Sequence, residues 1–203
     1  MVFGILKRFR FLLLLSLLSS LFSHPSLSAD TNEAPTLTDI QAAFMNKDYV
    51  KTKDLAVTLI ARTKDPQERS EAFYYTGVSD LWLGQYVSAR ESLAKTIKAK
   101  PSRDLLDKAS MALMDTYYME GDYKKSLEVA EDFLDDNPKS EFISAVYLKV
   151  ARCHLKLANW KKGRDYLQKV LQKYPNSLER FYVDQLLQES QYFAVQVGSF
   201  QDR

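Results

Sequence analysis

Pro101, Pro138 and Pro175 stand 37 residues apart. Gly84, Gly121 and Ala158 keep the same interval, as do Tyr86, Tyr123 and Trp160. Small residues follow in step at Ala89, Ser126 and Gly163, then Leu93, Ala130 and Leu167, then Ile97, Leu134 and Leu171. A repeat of this length is one supersecondary unit. It cannot bury an apolar face alone and must stack on copies of itself. This points to an all-α solenoid of antiparallel helix pairs.

Local signals give the helices. Asp65 can cap a helix that opens with Pro66, with Glu68 completing a capping-box-like arrangement. Ser102 and Ser140 are the equivalent caps of the next two units. Gly84 and Gly121 end the first helix of each pair, where glycine adopts a left-handed backbone without steric cost. In the fourth unit the turn reads Ala158-Asn159, with Asn159 as the residue suited to that conformation. Thr38 to Thr63 reads as an irregular first pair, broken near Lys47-Asp48. Terminal units of solenoids are commonly atypical.

The pattern of a small residue, a Gly-x-Tyr turn, a second small residue and a terminal Pro resembles the tetratricopeptide repeat (TPR) family. The matching residues are Gly77, Gly84-Gln85-Tyr86, Ala89 and Pro101. Gly121-Asp122-Tyr123, Ser126 and Pro138 follow, then Asn159-Trp160, Gly163 and Pro175. The family unit is about 34 residues, and the extra residues here fall after each Pro. The resemblance covers 37–190, with units at about 37–66, 70–106, 107–143 and 144–177 and a capping helix at 178–190. It implies a groove lined by the first helix of each pair. By position that groove holds Tyr74, Val78 and Leu81, then Met111, Asp115 and Tyr118, then Leu148, Arg152 and Lys156. Its mix of apolar residues and cations suits a peptide or helix with an acidic element.

Residues 1–29 read as an export signal. Lys7, Arg8 and Arg10 precede the apolar run Phe11 to Phe22, and Ala29 offers a small residue for cleavage before a polar linker at 30–36. The run falls short of the ~20 apolar residues of a comfortable membrane span, so an uncleaved inner-membrane anchor is the secondary reading. No cysteine follows the run, which argues against lipid attachment there. The leader also carries the basic excess. The full chain has 28 basic and 26 acidic residues, and three of the bases lie in the leader. The remainder has no basic stripe for nucleic acid. Cys153 is the sole cysteine, so the fold rests on packing, as suits a periplasmic protein.

The period breaks at Tyr192. Phe193-Ala194-Val195-Gln196-Val197-Gly198-Ser199-Phe200 alternates like a strand. It resembles the opening of a SPOR domain, the sporulation-related peptidoglycan-binding module of α+β fold. The resemblance implies that 191–203 is the first strand of that module and that Gln196 and Ser199 belong to its glycan cleft.

No nucleophile elbow, phosphate loop or zinc-protease motif occurs, and no cofactor or small-molecule substrate is indicated. Cys153 and His154 are adjacent on a helix, so their side chains diverge. They read as a packed thiol and a partly exposed imidazole, not a metal site. The expectation is a non-enzymatic periplasmic scaffold for envelope proteins or peptides, tethered to peptidoglycan through a complete SPOR domain. The alternative is an adaptor in outer-membrane or cell-division assembly that binds no glycan. A third reading places a catalytic domain beyond Arg203.

Overall fold

A computed structural model describes residues 34–188. The export signal expected at 1–29, the tail strand expected at 191–203, Gln196 and Ser199 lie outside the described residues. Among the described residues every regular element is a helix. They are α1 (Leu37–Met45), α2 (Tyr49–Arg62), α3 (Pro66–Trp82), α4 (Tyr86–Lys98), α5 (Arg103–Glu120), α6 (Tyr123–Asp136), α7 (Ile143–Lys156) and α8 (Trp160–Lys173). Residues 179–188 form a ninth helical stretch, α9.

The 37-residue period has one concrete cause, a repeated turn. Lys47, Gly84, Gly121 and Ala158 all have positive φ, at 59°, 73°, 91° and 59°. The next residue in each case, Asp48, Gln85, Asp122 or Asn159, donates its N–H back to Ala43, Asp80, Tyr117 or His154 at 2.8–3.0 Å. The left-handed residue itself donates to the carbonyl three before it at 2.9–3.1 Å. This is the Schellman arrangement, which satisfies the last carbonyls of a helix. The residue that closes it is also the N-cap of the following helix. A helix end and a helix start thus share one residue, which locks each pair into a tight hairpin. The left-handed residue of the fourth turn is therefore Ala158 and not Asn159, which has φ −83°. Register overrides side-chain preference at that point.

The starts of the first helices depart from expectation in three places. Asp65 does cap α3, accepting from Gln67 N–H at 2.9 Å. Glu68 turns instead to the Thr63 hydroxyl, and the reciprocal capping box forms at Thr36 and Asp39. The third concerns α7. Its in-register start would be residue 140, because α3 begins at Pro66 and α5 at Arg103. Ser140 does not cap a helix there. Its hydroxyl donates to Asp107 Oδ2 at 2.5 Å and accepts from Phe142 N–H at 3.2 Å. Residues 137–142 become a loop, and α7 has 14 residues against 18 in α5. The extra residues of the period lengthen a helix in one unit and a connection in the next.

Four core clusters run in series. Ile40, Ala56, Leu59 and Ala72 form the first, and Val78, Leu93, Ala109 and Ala112 the second. Met114, Ala130, Phe133, Ile143, Val146 and Val150 form the third, and Leu148, Ala151, Leu167, Val170 and Val183 the last. Each spans a pair and the helix that follows it, so no unit is covered without its neighbour. Each buried Leu, Val or Ile contributes about 1.5–3 kcal/mol. Ala89 and Ser126 are fully buried at the close approaches. At Gly163 an added Cβ would lie 2.7 Å from Leu155.

Candidate functional site

First helices of neighbouring pairs pack directly in the N-terminal half, α1 against α3 and α3 against α5. That packing is not matched between α5 and α7. The shortened start of α7 accompanies an opening there, a cavity of about 150 Å³. Its walls are Met111, Asp115 and Tyr118 of α5, Ala145, Leu148, Lys149 and Arg152 of α7, and Glu179 and Tyr182 of α9. The spacings follow from helix geometry, since residues three and four apart share a face.

Met111 and Leu148 are anchored in core clusters and form an apolar floor. Lys149 pairs with Asp115 across the gap. The Arg152 guanidinium lies over the Tyr118 ring, 5.1 Å from its centroid. Tyr118 is in turn held edge-on by Tyr123 at 5.3 Å. Among the described residues Arg152 makes no ion pair, so its fork of donors stays open to a carboxylate. Ser144 Oγ is 2.8 Å from both Ser177 Oγ and Glu179 Oε2. That cluster joins the start of α9 to α7 and sets the far wall.

Five of the nine expected groove residues, Met111, Asp115, Tyr118, Leu148 and Arg152, line this one cavity. The other four do not. Val78 is a core residue of the second cluster, because α3 and α5 are close enough to close over it. Tyr74 packs edge-on against Tyr75 at 5.4 Å. Burial pushes its phenol up to about 12, helped by Tyr75 and Asp104. Leu81 is half-buried. Lys156 is exposed but one position out of register: it is equivalent to Trp82 and Met119, and Leu155 is the equivalent of Tyr118. Sequence reasoning missed Ala145, Lys149, Glu179 and Tyr182. The i, i+3, i+4, i+7 stripe 145, 148, 149, 152 was available as a signal. Reading α9 as a cap hid the fact that it stands where a fifth first helix would stand.

The pair Cys153–His154 does not converge. The Cys153 thiol is buried, 3.4 Å from Ser126 Oγ, and burial pushes its pKa up. His154 is also buried, not partly exposed, with its ring 5.8 Å from that of Tyr166. Burial, then the Lys162 charge, holds its pKa below the usual imidazole range. No helix among the described residues is long and apolar enough to cross a membrane.

Stacked hairpins with this turn and these small-residue approaches define a tetratricopeptide-type protein. Two solved structures share the fold. The apo form of RapI superposes with a TM-score of 0.64 at 14% identity, over 81% of this chain and 66% of that one. The chain thus spans just under two thirds of RapI. MamA, residues 41 to the end, from Desulfovibrio magneticus RS-1 gives 0.56 at 18% identity, over 81% and 93%. No curated protein matches the sequence. Residues 66–184 match the YfiO family, described as outer membrane lipoprotein, and the chain belongs to that family.

Proposed function

We propose that the protein is a non-enzymatic scaffold of the bacterial envelope that holds a partner polypeptide in the cavity between α5, α7 and α9. The observation that carries this reading is Arg152: a cation laid on an aromatic ring, unpaired among the described residues, beside an apolar floor. A partner segment with an apolar or aromatic side chain and a carboxylate would satisfy both parts. The Asp115–Lys149 pair can open to exchange partners with the incoming chain. The outer membrane lipoprotein family supports an envelope location.

Peptides selected on the immobilised full chain test the groove. Arg152→Ala should weaken the selected peptides about tenfold or more, since a charge-assisted hydrogen bond is worth about 1.5–3 kcal/mol and tenfold is 1.4 kcal/mol. Amidation of a peptide's carboxylate should cost a similar factor on the native chain and nothing further on the variant. Peptides indifferent to both changes would refute the groove. The tail string holding Gln196 and Ser199 supports the second part of the reading, a peptidoglycan tether through a complete SPOR domain. Retention of a longer chain on purified sacculi tests that part separately.

A further inference from the structure

Seven large apolar side chains stand exposed beside the four repeated turns: Met45, Val50, Trp82, Leu83, Val87, Met119 and Trp160, between 37% and 81% exposed. The connections α1–α2, α3–α4, α5–α6 and α7–α8 all lie at one end of the alternating hairpins, so these residues form one edge of the solenoid. The period arranges them in rows. Met45, Trp82, Met119 and Lys156 share one register position, and Val50, Val87, Lys124 and Lys161 share another. Each row begins apolar and ends in lysine. Trp82 stacks on Tyr49, with ring centroids 5.9 Å apart and planes 9° apart.

The edge is a line of turn tips, and its residues are absent from the walls of the cavity above. The acids on it are engaged internally. Asp48 and Asp122 cap α2 and α6 by accepting from the Lys51 and Lys125 N–H groups at 3.1 and 3.0 Å. Glu120 pairs with Arg90. Lys161 leans on Asp165 at 2.9 Å. Lys47, Lys51, Lys124, Lys156 and Lys162 are exposed and make no ion pair among the described residues. Trp and Tyr, with an apolar body and a polar tip, suit the boundary between water and lipid. Lysines beside them suit anionic headgroups.

We infer that this edge docks on an anionic lipid surface, the apolar tips entering the headgroup boundary and the lysines engaging phosphates. The docking is peripheral and independent of the cavity. The chain reports on it directly, because both of its tryptophans, Trp82 and Trp160, lie on this edge and none lies in the leader. Full-length protein should be mixed with vesicles of phosphatidylglycerol and phosphatidylcholine, and separately with phosphatidylcholine alone, each with and without brominated acyl chains. With the anionic vesicles, tryptophan emission should shift to the blue and be quenched by the bromines. Trp82→Ser should remove most of the quenching. Replacing Lys124, Lys156 and Lys161 by Glu should abolish the effect while both tryptophans remain. Equal quenching in both vesicle types would overturn the inference. So would emission that ignores vesicles even when the leader holds the chain on them, a result that returns the edge to a protein partner.

Discussion

The N-terminal and C-terminal halves of the solenoid use the same period to different ends. Residues 78, 115 and 152 occupy one register position. Val78 is closed into a core, whereas Asp115 and Arg152 face a cavity. Residues 80, 117 and 154 occupy another. Asp80 is buried and held by Lys53, with Nζ 2.6 Å from Oδ1, an ion pair that joins α2 to α3. His154 is buried with no hydrogen bond at Nδ1. The first half is therefore a closed, cross-braced seam. The second is opened by a first helix that starts three residues late. A repeat dictates where a side chain sits in its unit, and the fit between units decides whether that place is core or site.

The largest break in this comparison should come from the brace. Lys53→Met leaves the Asp80 carboxylate buried without its cation, a loss on the order of 3–5 kcal/mol. Adding Asp80→Leu should restore much of it. Denaturant titration of the single and double variants measures both. A single variant as stable as the native chain would show that the first half is not braced there.

The turns sharpen the comparison at a smaller scale. Gly121→Val forces a branched side chain into a left-handed backbone and should cost roughly 1–3 kcal/mol. Ala158→Gly relieves the same strain, worth about 1–2 kcal/mol, less the extra freedom glycine gives the unfolded chain. It should therefore be neutral or raise Tm slightly. Opposite-signed Tm changes at two positions 37 residues apart would establish that the turn, not the residue type, is what recurs. Equal losses at both would contradict it.

The smallest effect concerns His154. Its folded pKa is depressed, so the unfolded chain binds more protons between the two values and stability rises with pH across that window. The contribution is complete above the unfolded value of about 6.5 and is lost as pH falls toward the folded one. His154→Phe should flatten this dependence in urea midpoints measured between pH 5 and 7. An unchanged slope would place the proton elsewhere.

Much of the fold was legible because the residues that make the turn are themselves periodic. Gly84, Gly121 and the aromatic that follows mark helix ends almost to the residue, and the small positions mark close approaches. Asn159 has the better intrinsic preference, but the positive φ of Ala158 and the hydrogen bond from Asn159 to His154 show that Ala158 turns, in register with Gly84 and Gly121. Half of the cavity was legible by transfer of register. The rest was not, because Ser140 reads as a helix cap but is drawn off by Asp107, and the resulting loop decides how far α7 stands from α5. The entry of Lys149, Glu179 and Tyr182 follows from that spacing, whereas Val78 is buried because α3 and α5 pack directly.

The most direct test of the central claim is amide hydrogen exchange on the full chain with and without a selected peptide. Protection should appear in 111–118, 145–152 and 179–182, with 74–81 unchanged. Protection centred on 74–81, or spread evenly along the first helices, would contradict a site made by the opening between α5 and α7.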